Sequence, residues 1–260
     1  MTEQNIPAVI LCGGMGTRLA EQTEIRPKPM VEIGGRPILW HIMKHYSRYG
    51  FNEFVLALGY KGEQIKRYFL DFNALSMDFT VSLEDGQVHS LNRNGIEHWR
   101  VHLWDTGPTT LTGGRLKHLE PLIGSGTFML TYGDGVSDVA LDKLLAFHRS
   151  HGGLVTLTAV RPLARFGALE FEGNRIRRFK EKSILHESWI NGGFFVIEPE
   201  ALKYIKSDVM WEHAPMEHLA AKGQLYAYRH EGFWQCMDTI RDLRYLESLW
   251  ESGKPPWKTW

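Results

Sequence analysis

Cysteine is scarce in this sequence: Cys12 and Cys236 are the two in 260 residues. That count excludes a disulfide framework and favours a reducing compartment. Net charge is missing too, because 30 Lys and Arg offset 30 Asp and Glu. Such a balance argues against a broad nucleic-acid or membrane surface, while leaving room for a local basic pocket. No apolar run is long enough to span a membrane, and the first residues lack the basic region of a secretory signal. The expectation is a soluble, cytoplasmic protein that binds neither nucleic acid nor membrane. Internal repeats and low-complexity linkers are also absent. His41 and His45 stand at i, i+4 on a helical pattern, but the glutamate of an H-E-x-x-H zinc helix is missing. They are expected to pack in the core.

What is present is enough apolar residue for a packed core, 43% hydrophobic against 23% charged. Strands are expected at 7–12, 53–58, 127–132 and 154–160, each a short apolar run. Helices are expected at 37–49, where Ile38, Leu39, Ile42, Met43 and Tyr46 recur at helical spacing, at 62–72, and at 142–152. The alternation predicts an α/β fold with a mainly parallel sheet flanked by helices. From 167 the pattern changes to a hairpin turning at Gly173-Asn174, then a strand "INGGFFVIEP" leading into a helix near Pro199, and a helix from near Asp238 to about Trp250. The organisation expected is a single domain over 1–260, with a nucleotide-binding part over about 1–160 and a smaller, β-rich part over about 161–260.

Ligands of parallel sheets sit beyond the carboxyl ends of the strands. Two sharp turns fall there: "CGGMG" after the first strand and "GDG" after the 127–132 strand. The first is no dinucleotide fingerprint, because Leu19 stands where the third glycine belongs, and no P-loop, because Gly-Lys-Ser/Thr is absent. Glycines at 13, 14 and 16 let backbone N–H groups approach phosphate oxygens closely. Arg18 offers a bidentate fork and Lys28 a point charge; Pro27 and Pro29 stiffen the chain on both sides of that lysine. Asp134 and Asp238 are the carboxylates that could hold a divalent cation, since Mg²⁺ is content with one or two carboxylates plus substrate phosphates. Either could instead be an ordinary turn former, and Asp238 the N-cap of the last helix. Cys12 lacks a nearby base and is expected to pack.

The string G-G-x-G-T-R-L followed by P-K-P is the signature of the sugar-1-phosphate nucleotidyltransferases, and the sequence resembles that family over nearly its whole length. "DTGPTTLTGGRL", "MLTYGDGV", "INGGFFV" and "GKPPWKTW" resemble its glucose-1-phosphate cytidylyltransferase branch. The resemblance implies a nucleotide-diphospho-sugar transferase type of Rossmann-like fold. It implies transfer of a cytidylyl group from CTP to α-D-glucose 1-phosphate, giving CDP-glucose for deoxysugar and surface-polysaccharide synthesis. Arg18 and Lys28 would be catalytic. Leu11, Cys12, Gly13, Gly14, Met15, Gly16, Thr17, Arg18, Lys28, Thr110, Arg115 and Gly133 would bind the nucleotide. Gly167, Glu181, Lys182, Asn191 and Gly192 would bind the sugar phosphate, although Ser183 replaces the family's proline after Lys182. Asp134 and Asp238 would hold Mg²⁺. A symmetric homo-oligomer is implied as well, hexamers among the family's forms, with Trp257 and Trp260 suited to a subunit contact. The competing readings are a uridylyl- or thymidylyltransferase on the same loop and metal, a nicotinamide-dependent oxidoreductase, and a non-catalytic nucleotide sensor.

Overall fold

The computed structural model describes residues 6–16, 19–90, 97–162, 168–180 and 189–260. Eight strands form the central sheet: β1 (Ala8–Cys12), β2 (Glu53–Leu58), β3 (Arg100–Asp105), β4 (Phe128–Tyr132), β5 (Val155–Val160), β6 (Ile190–Asn191), β7 (Phe195–Ile197) and β8 (Leu225–His230). Strand β1 lies between β2 and β4, and β3 flanks β2, all in parallel. Strand β7 pairs antiparallel with β4 and continues the sheet to β5, which pairs in parallel with β8 on its other edge. The parallel ladders are the longer ones, so the sheet is mainly parallel, as expected.

Strand β1 shows why it lies at the centre. Every residue of AVILC is buried, and alternate side chains serve opposite faces. Ala8, Ile10 and Cys12 join a core cluster with Ile38, Leu39, Ile42 and Met43 of α1 (Ile38–Arg48). Val9 and Leu11 join the cluster on the other face, with Leu116 of α3 (Thr112–His118), Leu219 of α5 (Ala214–Ala221), and Trp211. Helices α2 (Gly62–Ser76), α4 (Leu141–His151) and α6 (Ile240–Glu251) complete the set used below. No helix among the described residues is long and apolar enough to cross a membrane.

Three expectations change on contact with the structure. The run "INGGFFVIEP" is two strands rather than one. Gly193 (φ 77°) and Phe194 (φ 47°) take left-handed backbone, and the ladder breaks between β6 and β7. The Phe194 ring is fully buried and stacked 6.1 Å from Tyr46, so packing holds a conformation that a bulky residue avoids by itself. Helix α6 is capped by Thr239, which exchanges bonds with Asp242 in a capping box; Asp238 therefore is not the cap. Trp257 is fully buried within its own chain, stacked on Phe233 at 5.6 Å and donating from Nε1 to His41 Nδ1 at 3.4 Å. It belongs to the core and not to a subunit contact, because no indole surface is left to offer. His41 and His45 are likewise core residues. Burial pushes both imidazoles down to about 4, and His41 Nε2 bonds the Ile33 carbonyl.

Candidate active site

Because β1, β2, β3 and β4 run parallel, the turns after Cys12, Leu58, Asp105 and Tyr132 gather along one edge of the sheet. There they enclose a cavity of about 340 Å³. Its walls include Leu11, Cys12, Gly13, Gly14 and Gly16 from the glycine turn, Lys28 and Pro29, and Thr110 to Thr112 with Arg115 from the start of α3. Tyr132, Gly133 and Asp134 close the far side. The glycine turn and the Gly-Asp-Gly turn, 120 residues apart in sequence, thus face one space, as the strand order requires.

Lys28 crosses this space. Its Nζ donates to Asp134 Oδ2 and to Asp238 Oδ1, each at 2.6 Å. The lysine side chain is 12% exposed, and the two carboxylates 30% and 15%. Burial alone would lower the ammonium's pKa, but the charge and hydrogen bonds of the two carboxylates outweigh it and hold the pKa above the ordinary lysine value. Local backbone explains the aim of the side chain. Pro27 is extended, Lys28 opens a single 3₁₀ turn through Met30, and buried Pro29 packs beside Gly133. Asp238 reaches the same point because β-strand Trp234–Cys236 pairs with Gly135–Ser137, directly after Asp134. Two carboxylates therefore converge on one cation-sized position, with the ammonium in it. Among the described residues no group of three or more His, Cys, Asp or Glu side chains is placed to hold a metal. A cation here would need phosphate oxygens to complete its shell, which is the donor set Mg²⁺ accepts.

Arg115 departs most from its expected surroundings. It is only 4% exposed. Its Nη1 donates to the Leu58 carbonyl, Thr106 Oγ1 and the Gly107 carbonyl, and its Nη2 to the Gly13 carbonyl, at 2.6 to 3.1 Å. One guanidinium thus ties the turns after β1, β2 and β3 together. A Cβ on Gly13 would lie 2.2 Å from the guanidinium carbon, and one on Gly59 would lie 2.5 Å from Nη1. These two glycines are needed by the arginine beneath them as much as by any ligand. Thr110 Oγ1 donates to the Thr106 carbonyl at 2.6 Å, so it faces the cavity as an acceptor.

Cys12 is buried, and burial followed by the Asp134 charge pushes its thiol far up; it packs and does not react. Met15 lies exposed at the tip of the glycine turn. Asn191 donates to the Tyr132 hydroxyl at 3.2 Å and accepts from Gly193 N at 3.0 Å. The Gly192 carbonyl accepts from Trp234 Nε1 at 2.7 Å, and a Cβ on Gly192 would lie 2.7 Å from Val160. Sheet packing therefore demands that glycine irrespective of any sugar ring. Thr17, Arg18, Gly167, Glu181 and Lys182, together with Ser183, lie outside the described residues.

Sequence reasoning missed Glu212 and Tyr132, whose side chains meet beside this cavity at 2.6 Å. Tyr132 ends an apolar strand and reads as core. Glu212 lies between a tryptophan and a proline-containing helix and reads as a solvated helix start. The pairing links residues 80 apart, and no local pattern reports it.

A parallel sheet whose carboxyl edge carries a glycine turn, a buried lysine and two convergent aspartates defines a phosphate-handling transferase, and the chain belongs to the nucleotidyl transferase family, whose model matches residues 7–252. It is 48% identical over 255 residues to the glucose-1-phosphate cytidylyltransferase of Salmonella typhi, covering 97% of this chain and 99% of that one. It is 44% identical to the probable glucose-1-phosphate cytidylyltransferase of Bacillus subtilis, with the same coverage. In fold it resembles a UDP-glucose pyrophosphorylase from Acinetobacter baumannii (TM-score 0.69, 14% identity, 97% of this chain and 95% of that one).

Proposed function

We propose that this protein transfers the cytidylyl group of CTP to α-D-glucose 1-phosphate, releasing pyrophosphate and forming CDP-glucose. The observation that carries the reading is the shared focus of Lys28, Asp134 and Asp238 beneath the glycine turn. The 48% identity to a cytidylyltransferase supports the choice of substrates.

A phosphate oxygen of the sugar phosphate attacks the α-phosphorus of the nucleotide while pyrophosphate leaves from the opposite side. A phosphate monoester has a second pKa near ~6, so the nucleophile is already ionised at neutral pH. No general base is required. The obstacle is the repulsion between two polyanions that must meet in line, and the protein's task is positioning and charge compensation. Gly13, Gly14 and Gly16 line one wall, where phosphate oxygens can approach the backbone closely. Lys28 brings a full positive charge on stiff backbone. Asp134 and Asp238 would hold Mg²⁺, which when bound neutralises and aligns the phosphates. Arg18 and Lys182 are assigned to phosphate, and Gly167, Glu181, Asn191 and Gly192 to the sugar. Arg115 acts through the turns it braces, and Thr110 presents an acceptor to the nucleotide. A homo-oligomer working in the cytoplasm completes the proposal.

The test is pyrophosphate release measured over CTP, UTP, dTTP and GTP, each with several sugar 1-phosphates. Highest kcat/KM for CTP with glucose 1-phosphate is expected. Equal kcat/KM for CTP, UTP and dTTP refutes the cytidylyl assignment, and no release with any pair refutes nucleotidyl transfer.

A further inference from the structure

One carboxylate stands behind the cavity and holds two of the side chains that line it. Glu212 Oε2 accepts from Thr112 Oγ1, and Glu212 Oε1 accepts from the Tyr132 hydroxyl, both at 2.6 Å. Thr112 opens helix α3 on the side assigned to the nucleotide. Tyr132 ends β4 and receives the Asn191 amide at 3.2 Å, on the side assigned to the sugar. Glu212 itself is not a wall of the cavity, but Thr112 and Tyr132 both are. Its own position is fixed by the backbone around it: Trp211 N donates to Thr112 Oγ1 at 2.8 Å, and Gly113 N to the Val209 carbonyl at 2.9 Å.

The donor directions matter. Each hydroxyl has a single proton, and each gives it to Glu212. The Thr112 oxygen is thereby turned to accept from Trp211 N, and the Tyr132 oxygen to accept from Asn191. The carboxylate also spans the two halves of the cavity by a continuous path, Thr112–Glu212–Tyr132–Asn191. Both of its bonds have the short length of charge-assisted contacts.

We infer that Glu212 is a positioning residue for the transfer reaction, fixing the distance between the nucleotide side and the sugar side of the site. This rests on the function proposed above. An in-line displacement is sensitive to that distance, because reacting atoms must be held near contact. Glu212 touches neither substrate in this assignment. It acts through Thr112 on one and through Tyr132 and Asn191 on the other.

The test compares KM values for CTP and glucose 1-phosphate in four variants. Thr112→Val should raise KM for CTP and leave that for glucose 1-phosphate unchanged. Tyr132→Phe should do the reverse. Glu212→Met, of similar length but without an acceptor, should raise both by about tenfold or more, the scale of one lost hydrogen bond to a charged group at each end. Glu212→Met combined with Tyr132→Phe should be no worse for glucose 1-phosphate than Glu212→Met alone, because both break one connection. Both KM values within twofold of wild type in Glu212→Met, or multiplicative losses in the double variant, overturn the inference. If Glu212→Met does not fold, Glu212→Gln decides: it keeps one of the two acceptor oxygens and should raise at least one KM, and wild-type values for both overturn the inference. Wild-type enzyme that favours another nucleotide over CTP refutes the cytidylyl reading instead, and the same four-variant comparison then applies with the preferred nucleotide.

Discussion

Replacing Lys28 with methionine should separate two effects that move in opposite directions. In the protein as folded, one ammonium satisfies Asp134 and Asp238 at 2.6 Å each, in a setting where the lysine is 12% exposed. Removing one member of a buried ionic cluster costs about 3–5 kcal/mol, because the charges left behind are uncompensated. Asp134 keeps 30% of its side-chain surface in solvent, so the lower figure, about 3 kcal/mol, applies. In a chain of this size each kcal/mol moves Tm by roughly 2–4 °C, which predicts a loss of about 6–12 °C without divalent cations. The Lys28 pKa is raised on folding. Its contribution is therefore complete below the unfolded value of about 10.4 and fades only as pH rises through the folded pKa, so assays at pH 7–9 read it in full. The same substitution removes the ammonium that a divalent cation has to displace. Mn²⁺ should bind the nucleotide-free variant about tenfold or more tightly than it binds wild type, tenfold being ~1.4 kcal/mol, less than half of the pairing lost. Mn²⁺ should also restore most of the lost Tm. Turnover should fall by about 10²–10³, as for other preorganised charges. Thermal melts with and without Mn²⁺, and titration of the free ion by electron paramagnetic resonance, read both arms. A variant with wild-type Tm and wild-type Mn²⁺ affinity shows that Lys28 does not stand between the carboxylates, and the argument fails.

Arg115→Lys should raise KM for CTP and UTP by the same factor, about tenfold or more, since an ammonium cannot reach the Leu58, Gly107 and Gly13 carbonyls together. A changed CTP-to-UTP ratio in steady-state kinetics would instead make Arg115 a reader of the base. Stability should fall as pH drops from about 6.5 towards 4, because His41 and His45, each held at about 4 by burial, stay neutral in the folded state while they charge in the unfolded one. The slope for each is about 0.7 kcal/mol per pH unit at pH 6.5 and approaches about 1.4 near pH 5.5, as the unfolded imidazole becomes fully charged. Urea unfolding at pH 6.5, 6.0 and 5.5 measures it, His45→Met should roughly halve it, and pH-independent stability over that window refutes the assignment.

The sequence carried the parts of this structure that local patterns encode. Unbroken apolar runs marked β1, β2, β4 and β5, and the Ile38–Tyr46 periodicity marked α1, because those residues are buried on the faces that the periods describe. Strand β3, RVHLWD, went unread. It is an edge strand, half wet, with charged ends and no clean alternation. The break between β6 and β7 depends on Phe194 filling a hole beside Tyr46, which no local signal announces. The site divides in the same way. The glycine turn, Lys28 and the two aspartates carry recognisable chemistry in short motifs. Arg115 as a brace and Glu212 as a link are defined only by partners 8 to 102 residues away. Their residue types fit a solvated helix equally well until the turns meet.

The burial of Trp257 reaches into how the chain is made. The indole that closes the core over α1 is bonded to His41, 216 residues earlier, and Lys28 finds Asp238 210 residues later. Loops of that span close slowly and late. At about 5–20 residues per second, a ribosome needs about 10–40 s to travel from His41 to Trp257. Throughout that interval His41 lacks the indole that covers it, and the cation position lacks one of its two carboxylates. The nascent chain therefore gains the complete cation position only after Asp238 has emerged.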